Sequence, residues 1–356
     1  MINVKLKYKL LGTAATLSLI VMALLSSCDH KELCFDHEEH APKYQLHVEA
    51  TYQQEWEIYN GEGIVWKEFP TWIDSYGMAY DDLKPKIPAG LRMHDFPVAG
   101  QYNMTNMPAF GESVRMRPGE HQLLFYNNDT EYIVFNDMYS YASAKATTRT
   151  RSRSTYIGNP FRKNNEEKEP TLNMPDMLYG NYISSYTAEL SNDEVMLPVI
   201  MHPLVFKYLV RYEFSKGLEY VGMGRGALSG MASSVYLHSG RTSKEASTVL
   251  FDCTIESWGI QAIVATFGVP DYPNTNYSPT RSSVSHALNL EVRLKNGVIK
   301  EFNFDVSEQI EKQPQGGVIV VRDVEIQDNE GTQGGSGFDV SIEGWGDFQD
   351  VVIPMK

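Results

Sequence analysis

Apolar and polar residues alternate in short runs along most of this chain. Tyr44-Gln45-Leu46-His47-Val48-Glu49-Ala50 puts every second side chain on one face, the period of a half-buried β-strand. His121 to Tyr126 follows the turn Arg117-Pro118-Gly119-Glu120, and Tyr132 to Phe135 follows Asn127-Asn128-Asp129, so this pair predicts a hairpin. Further on, Val195–Ile200, Phe206–Phe214, Ser233–Leu237 and Leu288–Leu294 predict strands; the last alternates with its apolar side in and its polar side out. Asn296-Gly297 predicts a type I′ turn into Val298–Phe302. Phe338–Ile342 and Val351–Ile353 predict closing strands. No stretch keeps a helical apolar period for a dozen residues, and Ser307 to Gln313 is the best helical candidate, one or two turns long. The expected class is all-β.

Punctuation of these runs organises the chain. Residues 28–43 are polar and without period, which predicts a tether; strand-rich blocks follow over 44–185 and 186–356, with the boundary placed in the stretch Gly180 to Asn192. From Ala142 to Pro170 apolar residues thin out while Arg149, Arg151 and Arg153 alternate with Ser and Thr, which predicts a long solvated loop.

The N-terminus reads differently. Lys5, Lys7 and Lys9 precede an apolar stretch from Leu10 to Leu25 that no acidic residue interrupts, the layout of a secretion signal. At about 16 residues the run is shorter than the roughly 20 of a membrane-spanning helix. Leu25-Ser26-Ser27-Cys28 resembles the bacterial lipobox, in which the cysteine takes a diacylglycerol and a palmitate-like chain before and after cleavage. Residues 1–27 are therefore expected to leave as a signal peptide and Cys28 to be the lipidation site. Two or more acyl chains, at about 0.8 kcal/mol per buried CH₂, hold a protein stably to a membrane.

Charge narrows the partners. Loss of residues 1–27 removes three lysines and leaves 28 Lys and Arg against 45 Asp and Glu, a net charge of −17. Such an acidic body argues against nucleic acid, which calls for a basic face. Cys34 and Cys253 are the cysteines left beside Cys28, too few for a disulfide framework. His37-Glu38-Glu39-His40 near Cys34 lacks a second ligand pair at finger spacing, so no metal is expected. Gly222-Met223-Gly224-Arg225-Gly226 lacks both the sixth-position glycine and the helix of a dinucleotide loop, and is expected to be a flexible turn. Ser229 sits one residue out of a nucleophile elbow, Cys253 lies in an apparent strand without a paired base, and Asp81-Asp82 offers carboxylates with no defined separation. No catalytic residue and no cofactor is expected.

The mature chain resembles an uncharacterised family of Bacteroides-type lipoproteins of the fimbrillin superfamily, similar in plan to fimbrial anchor subunits. The residues that carry this are Cys28 to His37, Arg117-Pro118-Gly119-Glu120, Asp176-Met177-Leu178-Tyr179-Gly180, His202 to Tyr212, and Gly344-Trp345-Gly346-Asp347. The resemblance implies two tandem transthyretin-like β-sandwiches behind a lipidated tether, delivery to the outer membrane, and a non-catalytic part in assembling or anchoring a fimbrium (pilus) or in adhesion. Asp29 and Glu32 resemble the acidic signal that sends such lipoproteins to the cell exterior. Shaft fimbrillins are cut after an arginine near the first strand, and no arginine lies between Cys28 and Tyr52, which suits an anchor or accessory protein. The implied partners are fimbrillin shaft or tip subunits, engaged by β-strand addition. The rival is a surface lipoprotein of a nutrient-uptake system that binds a glycan, which an exposed row of Trp56, Trp66 and Trp72 would favour.

Overall fold

The computed structural model describes residues 44–54, 84–162, 168–191, 193–273 and 284–332, all within the unit Lys43–Lys356. In chain order the first strands are β1 (Tyr44–Tyr52), β2 (Gly90–Pro97), β3 (Asn103–Pro108), β4 (Ser113–Met116), β5 (Gly119–Asn127), β6 (Ile133–Asn136), β7 (Lys145–Thr148), β8 (Thr171–Leu172), β9 (Tyr179–Ala188) and β10 (Val195–Pro203). They are followed by β11 (Phe206–Lys216), β12 (Val221–Ala232), β13 (Ser234–Tyr236), β14 (Ala246–Asp252), β15 (Thr254–Glu256), β16 (Gly259–Thr266), β17 (Ala287–Leu294), β18 (Ile299–Asp305) and β19 (Gly317–Glu325). Helices are minor: α1 (Ser307–Glu311), where the sequence placed one, and α2 (Asp328–Thr332).

β1 shows how alternation becomes a wall. Tyr44, Leu46, Val48 and Ala50 are buried while Gln45 and Glu49 face out. The strand belongs to a seven-stranded sheet, β3-β2-β5-β9-β10-β1-β4. This sheet folds over itself: β9 and β10 are paired only through His202 with Gly180 and Pro203 with Tyr179. The leaflets β4-β1-β10 and β3-β2-β5-β9 thus enclose one core, with Leu46, Val48, Met93, Phe125, Tyr179 and Met201 almost fully buried. Each such side chain contributes about 1.5–3 kcal/mol through burial.

A second sandwich packs the four-stranded sheet β15-β16-β11-β19 against the five-stranded sheet β18-β17-β12-β14-β8. Tyr208, Val210 and Tyr212 of β11 meet Leu288, Leu290 and Val292 of β17 and Phe251 of β14 in its core. The glycine-rich run expected to turn is instead the first half of β12. Gly226 lies opposite Phe251 in the ladder, and a Cβ there would collide with the Phe251 ring. Glycine is thus used for close approach inside a strand, not for flexibility.

A third core joins the two. The small sheet β13-β7-β6 covers the outer face of β5, so Leu124 and Tyr126 are buried there while Leu123 and Phe125 point the other way. Burial on both faces explains why Leu123–Tyr126 is a continuous apolar run without alternation.

Two local expectations are corrected. β5 and β6 do not form a hairpin: β5 pairs with β2 and β9, and β6 with β7. The Asp176 carboxylate accepts the backbone N–H groups of Glu131, Tyr132 and Ile133, and turns the chain away before β6 starts. The β17–β18 hairpin is as expected, but its loop is not type I′. Leu294 donates to Val298 O and Gly297 donates back to Leu294 O, so three residues turn. Gly297 alone takes positive φ, the pattern of a type I turn closed by a left-handed glycine. Finally, strand pairing crosses the position 185/186. β10 lies in the first sandwich's sheet, parallel to β1, and β8 lies in the second, parallel to β14. Parallel partners are chosen by which edge is free rather than by nearness in sequence.

Candidate functional site

The segment between β7 and β8 is where sequence and structure differ most. Rather than a solvated loop, residues 149–162 form a strap bonded across the outer face of the five-stranded sheet. Arg151 pairs with Asp252 at 3.2 Å, and Tyr156 OH lies 3.5 Å from Thr248 Oγ1. Arg153 is buried and donates to Gly226 O at 3.2 Å and to Asn289 Oδ1. Glu291 lies beneath, 1% exposed, accepting from Arg225 Nε at 2.8 Å and standing 4.0 Å from Arg153 Nε. Arg225 in turn donates to Thr155 Oγ1 on the strap at 2.9 Å. Burial pulls the Arg153 guanidinium down from its ordinary range, and Glu291 works against that pull.

Register is what sets this cluster. Arg225 pairs with Glu291 and Ala227 with Asn289 across β12 and β17, so the polar face of Leu288–Leu294 points outward as alternation predicts. It is nevertheless buried, because the strap covers it. The signal in the sequence was the basic alternation 149/151/153, of which Arg153 meets both Asn289 and Glu291 on β17 and Arg151 meets Asp252 on β14. It was legible as a period but not as a partner.

Two histidine sites occupy the first sandwich. His94 is buried on the outer face of β2, its Nε2 2.7 Å from Tyr126 OH and its Nδ1 2.5 Å from Tyr102 OH. Burial, then the nearby Arg92 charge, push its pKa down to about 4, so it is neutral at ordinary pH. His121 sits at the end of the first core with Nδ1 2.6 Å from Asp95 Oδ1 and Nε2 2.9 Å from Arg117 O. A His–Asp pair is the orienting half of a catalytic triad. Here the second nitrogen faces a carbonyl, which only accepts, so the ring closes the turn before β5 and has no nitrogen left to activate a nucleophile. Sequence reasoning singled out neither site, since single histidines in strands carry no motif.

The residues tested for chemistry are accounted for as far as they are described. Ser229 is fully buried where β12 bulges, accepting from Ala287 N at 3.1 Å. Cys253 is a free thiol between β14 and β15 whose pKa burial pushes up. Cys28, Cys34, His37 to His40, Asp81, Asp82 and the row Trp56, Trp66 and Trp72 lie outside the described residues. So do Phe338–Ile342 and Val351–Ile353. Among the described residues no group of three or more His, Cys, Asp or Glu is placed to hold a metal ion.

What the described surface offers a partner is sheet edge. Strands at the ends of sheets carry unpaired backbone N–H and C=O groups that a further strand can take up. Of the described edges, β3 spans 6 residues, β18 spans 7 and β19 spans 9, while β4, β15 and β8 are 4, 3 and 2 residues long. Ile299 at the start of β18 is 49% exposed, beside Val298 at 47%, so apolar surface adjoins that edge.

Residues 80–252 match the family described as a domain of unknown function, DUF5119. The matched stretch begins ahead of β2 and ends with β14, so it takes in the small joining sheet and the strap, and it crosses from one sandwich into the other. Over 308 residues the chain is 24% identical to a Bacteroides ovatus protein provisionally named the fimbrium anchoring subunit Fim4B, covering 78% of this chain and 88% of that relative. A solved structure, provisionally described as an adhesin and also from Bacteroides ovatus, superposes with a TM-score of 0.56 at 21% identity, covering 81% of this chain and 94% of that one. The likeness establishes a shared fold. The family resemblance drawn from the sequence and these relatives agree in kind.

Proposed function

We propose that this protein is a lipid-anchored surface protein that assembles or anchors fimbriae and does no chemistry. The observation that carries the reading is the relation to a fimbrium anchoring subunit along most of both chains, which takes in both sandwiches rather than one. In this reading residues 1–27 are removed as a signal peptide, Cys28 is acylated, and residues 28–43 tether the β-sandwich body to the outer membrane, facing the cell exterior. A fimbrillin shaft or tip subunit then adds a strand to an open edge, for which β3 and β18 are the candidates. Main-chain hydrogen bonds supply affinity in such pairing and side-chain pockets supply specificity.

The experiment has two parts. Radiolabelled palmitate is expected to enter the protein in cells, and Cys28→Ala to abolish the labelling; label that persists in the variant removes the anchor. Co-purification with the fimbrillin of the same cells is expected, and a proline in the donated strand should weaken it by deleting a ladder hydrogen bond. Saturable binding of a polysaccharide without capture of any fimbrillin would transfer the assignment to glycan uptake.

A further inference from the structure

β19 has the wrong composition for an edge. Its first five residues, Gly317-Val318-Ile319-Val320-Val321, form an unbroken apolar run of the kind found inside parallel sheets. On one side the strand pairs in parallel with β11, from Tyr208 opposite Gly317 to Tyr212 opposite Val321. On the other side, among the described residues, no strand lies next to it in the sheet. A strand edge with unpaired backbone groups along such an apolar run is a template for pairing with a second molecule.

At Val318 and Val320, within the apolar run, the outward groups are nevertheless satisfied, and by side chains. Gln309 of α1 accepts from Val320 N at 2.9 Å and donates to Val320 O at 3.1 Å. Gln313, one helical turn on, accepts from Val318 N at 2.8 Å and donates to Val318 O at 3.0 Å. A carboxamide carries the same donor and acceptor as a peptide group, and residues two apart on an edge strand point their backbone groups the same way. The two glutamines, spaced i and i+4, therefore stand in for two residues of a neighbouring strand. The support is rigid: Val306 and Ile310 are buried in the second core, and Tyr208 OH donates to Gln313 O at 2.6 Å. Gly317 belongs to the device, because a Cβ there would collide with the Gln313 carboxamide.

We infer that Gln309 and Gln313 lock the β19 edge against strand pairing with a second copy of this chain. The amides occupy the ladder positions that the copy's own β19 would need, so its apolar sequence does not lead to edge-to-edge association. This holds whether or not the protein serves a fimbrium.

The test uses the full-length protein purified in detergent, in wild-type form, as Gln309→Met/Gln313→Met, and as Gly317→Ala. Methionine keeps the unbranched length and removes the amide, while the methyl added by Gly317→Ala displaces the Gln313 carboxamide and keeps both glutamines in the sequence. In the double variant the Val318 and Val320 amides should exchange with solvent about tenfold faster or more, with those of Ile319 and Val321, on the β11 side, unchanged. In Gly317→Ala the acceleration should be confined to Val318. A fluorescent peptide with the sequence of residues 317–325 should bind the double variant and not the wild type. Unchanged exchange at Val318 and Val320 overturns the assignment of the hydrogen bonds. Faster exchange without peptide binding overturns the lock, and acceleration throughout β19 shows that the turn serves the fold rather than the edge.

Discussion

Replacing Glu291 by glutamine is expected to destabilise the protein by roughly 3–5 kcal/mol, the cost of removing one partner from a buried ion pair. The side chain is almost wholly enclosed between β17 and the strap, within 4.0 Å of Arg153 and bonded to Arg225 at 2.8 Å. Glutamine keeps the shape and loses the charge, so two buried guanidinium groups would be left with no carboxylate between them. Chemical denaturation of the variant measures the loss. A companion variant, Arg153→Met/Arg225→Met/Glu291→Leu, removes all three charges together and should fall much closer to wild type, because apolar replacement of a whole buried cluster is often neutral. A cost below about 1 kcal/mol for Glu291→Gln would mean that the strap is held by its other bonds and that the cluster is incidental.

Acid is the second large lever. His94 and His286 are both held down to about 4 from the ordinary 6.5, by burial first in each case. For His286, the Ser229 backbone and Asp305 pull weakly the other way. A depressed folded pKa means that the unfolded chain binds the proton more readily. The stability these groups contribute is present above pH 6.5 and is lost as pH falls through about 4. Two such groups give a slope of about 2.7 kcal/mol per pH unit inside that window. Asp95 works against it, since burial raises its carboxyl above the usual value and that burden is relieved in acid. Urea unfolding followed from neutral pH into acid should show the fall, and His94→Gln/His286→Gln should flatten most of it. An unflattened slope in that double variant would assign the acid sensitivity elsewhere.

Much of the fold could be read from the chain because strand periodicity is a local property. The alternation at Tyr44–Ala50, the run Phe206–Phe214 and the hairpin Leu288–Phe302 each state which face is apolar, and burial of that face is what forms the sandwiches. The leader and Lys5, Lys7 and Lys9 are equally local, which is why export and Cys28 could be argued without any fold. Pairing is not local. Whether β6 joins β5 or β7 depended on Asp176, more than 40 residues away, capturing three N–H groups.

The candidate sites divide in the same way. Arg149, Arg151 and Arg153 announced a basic period, and by charge alone such a run belongs in water. Only the packed sheet supplied Asp252 opposite Arg151 and Asn289 and Glu291 opposite Arg153, and so turned a solvated loop into a strap bonded across a sheet. Glutamine likewise has no preferred partner along a sequence, and Gln309 and Gln313 acquired one because α1 lies beside the β19 edge. The sequence by itself determined the strand faces and the acidic net charge and carried the argument for export, all properties of neighbouring residues. The tertiary structure alone decided which edges stay open, which charges are buried and which glycines touch a ring, since each depends on groups that meet only when distant strands pair.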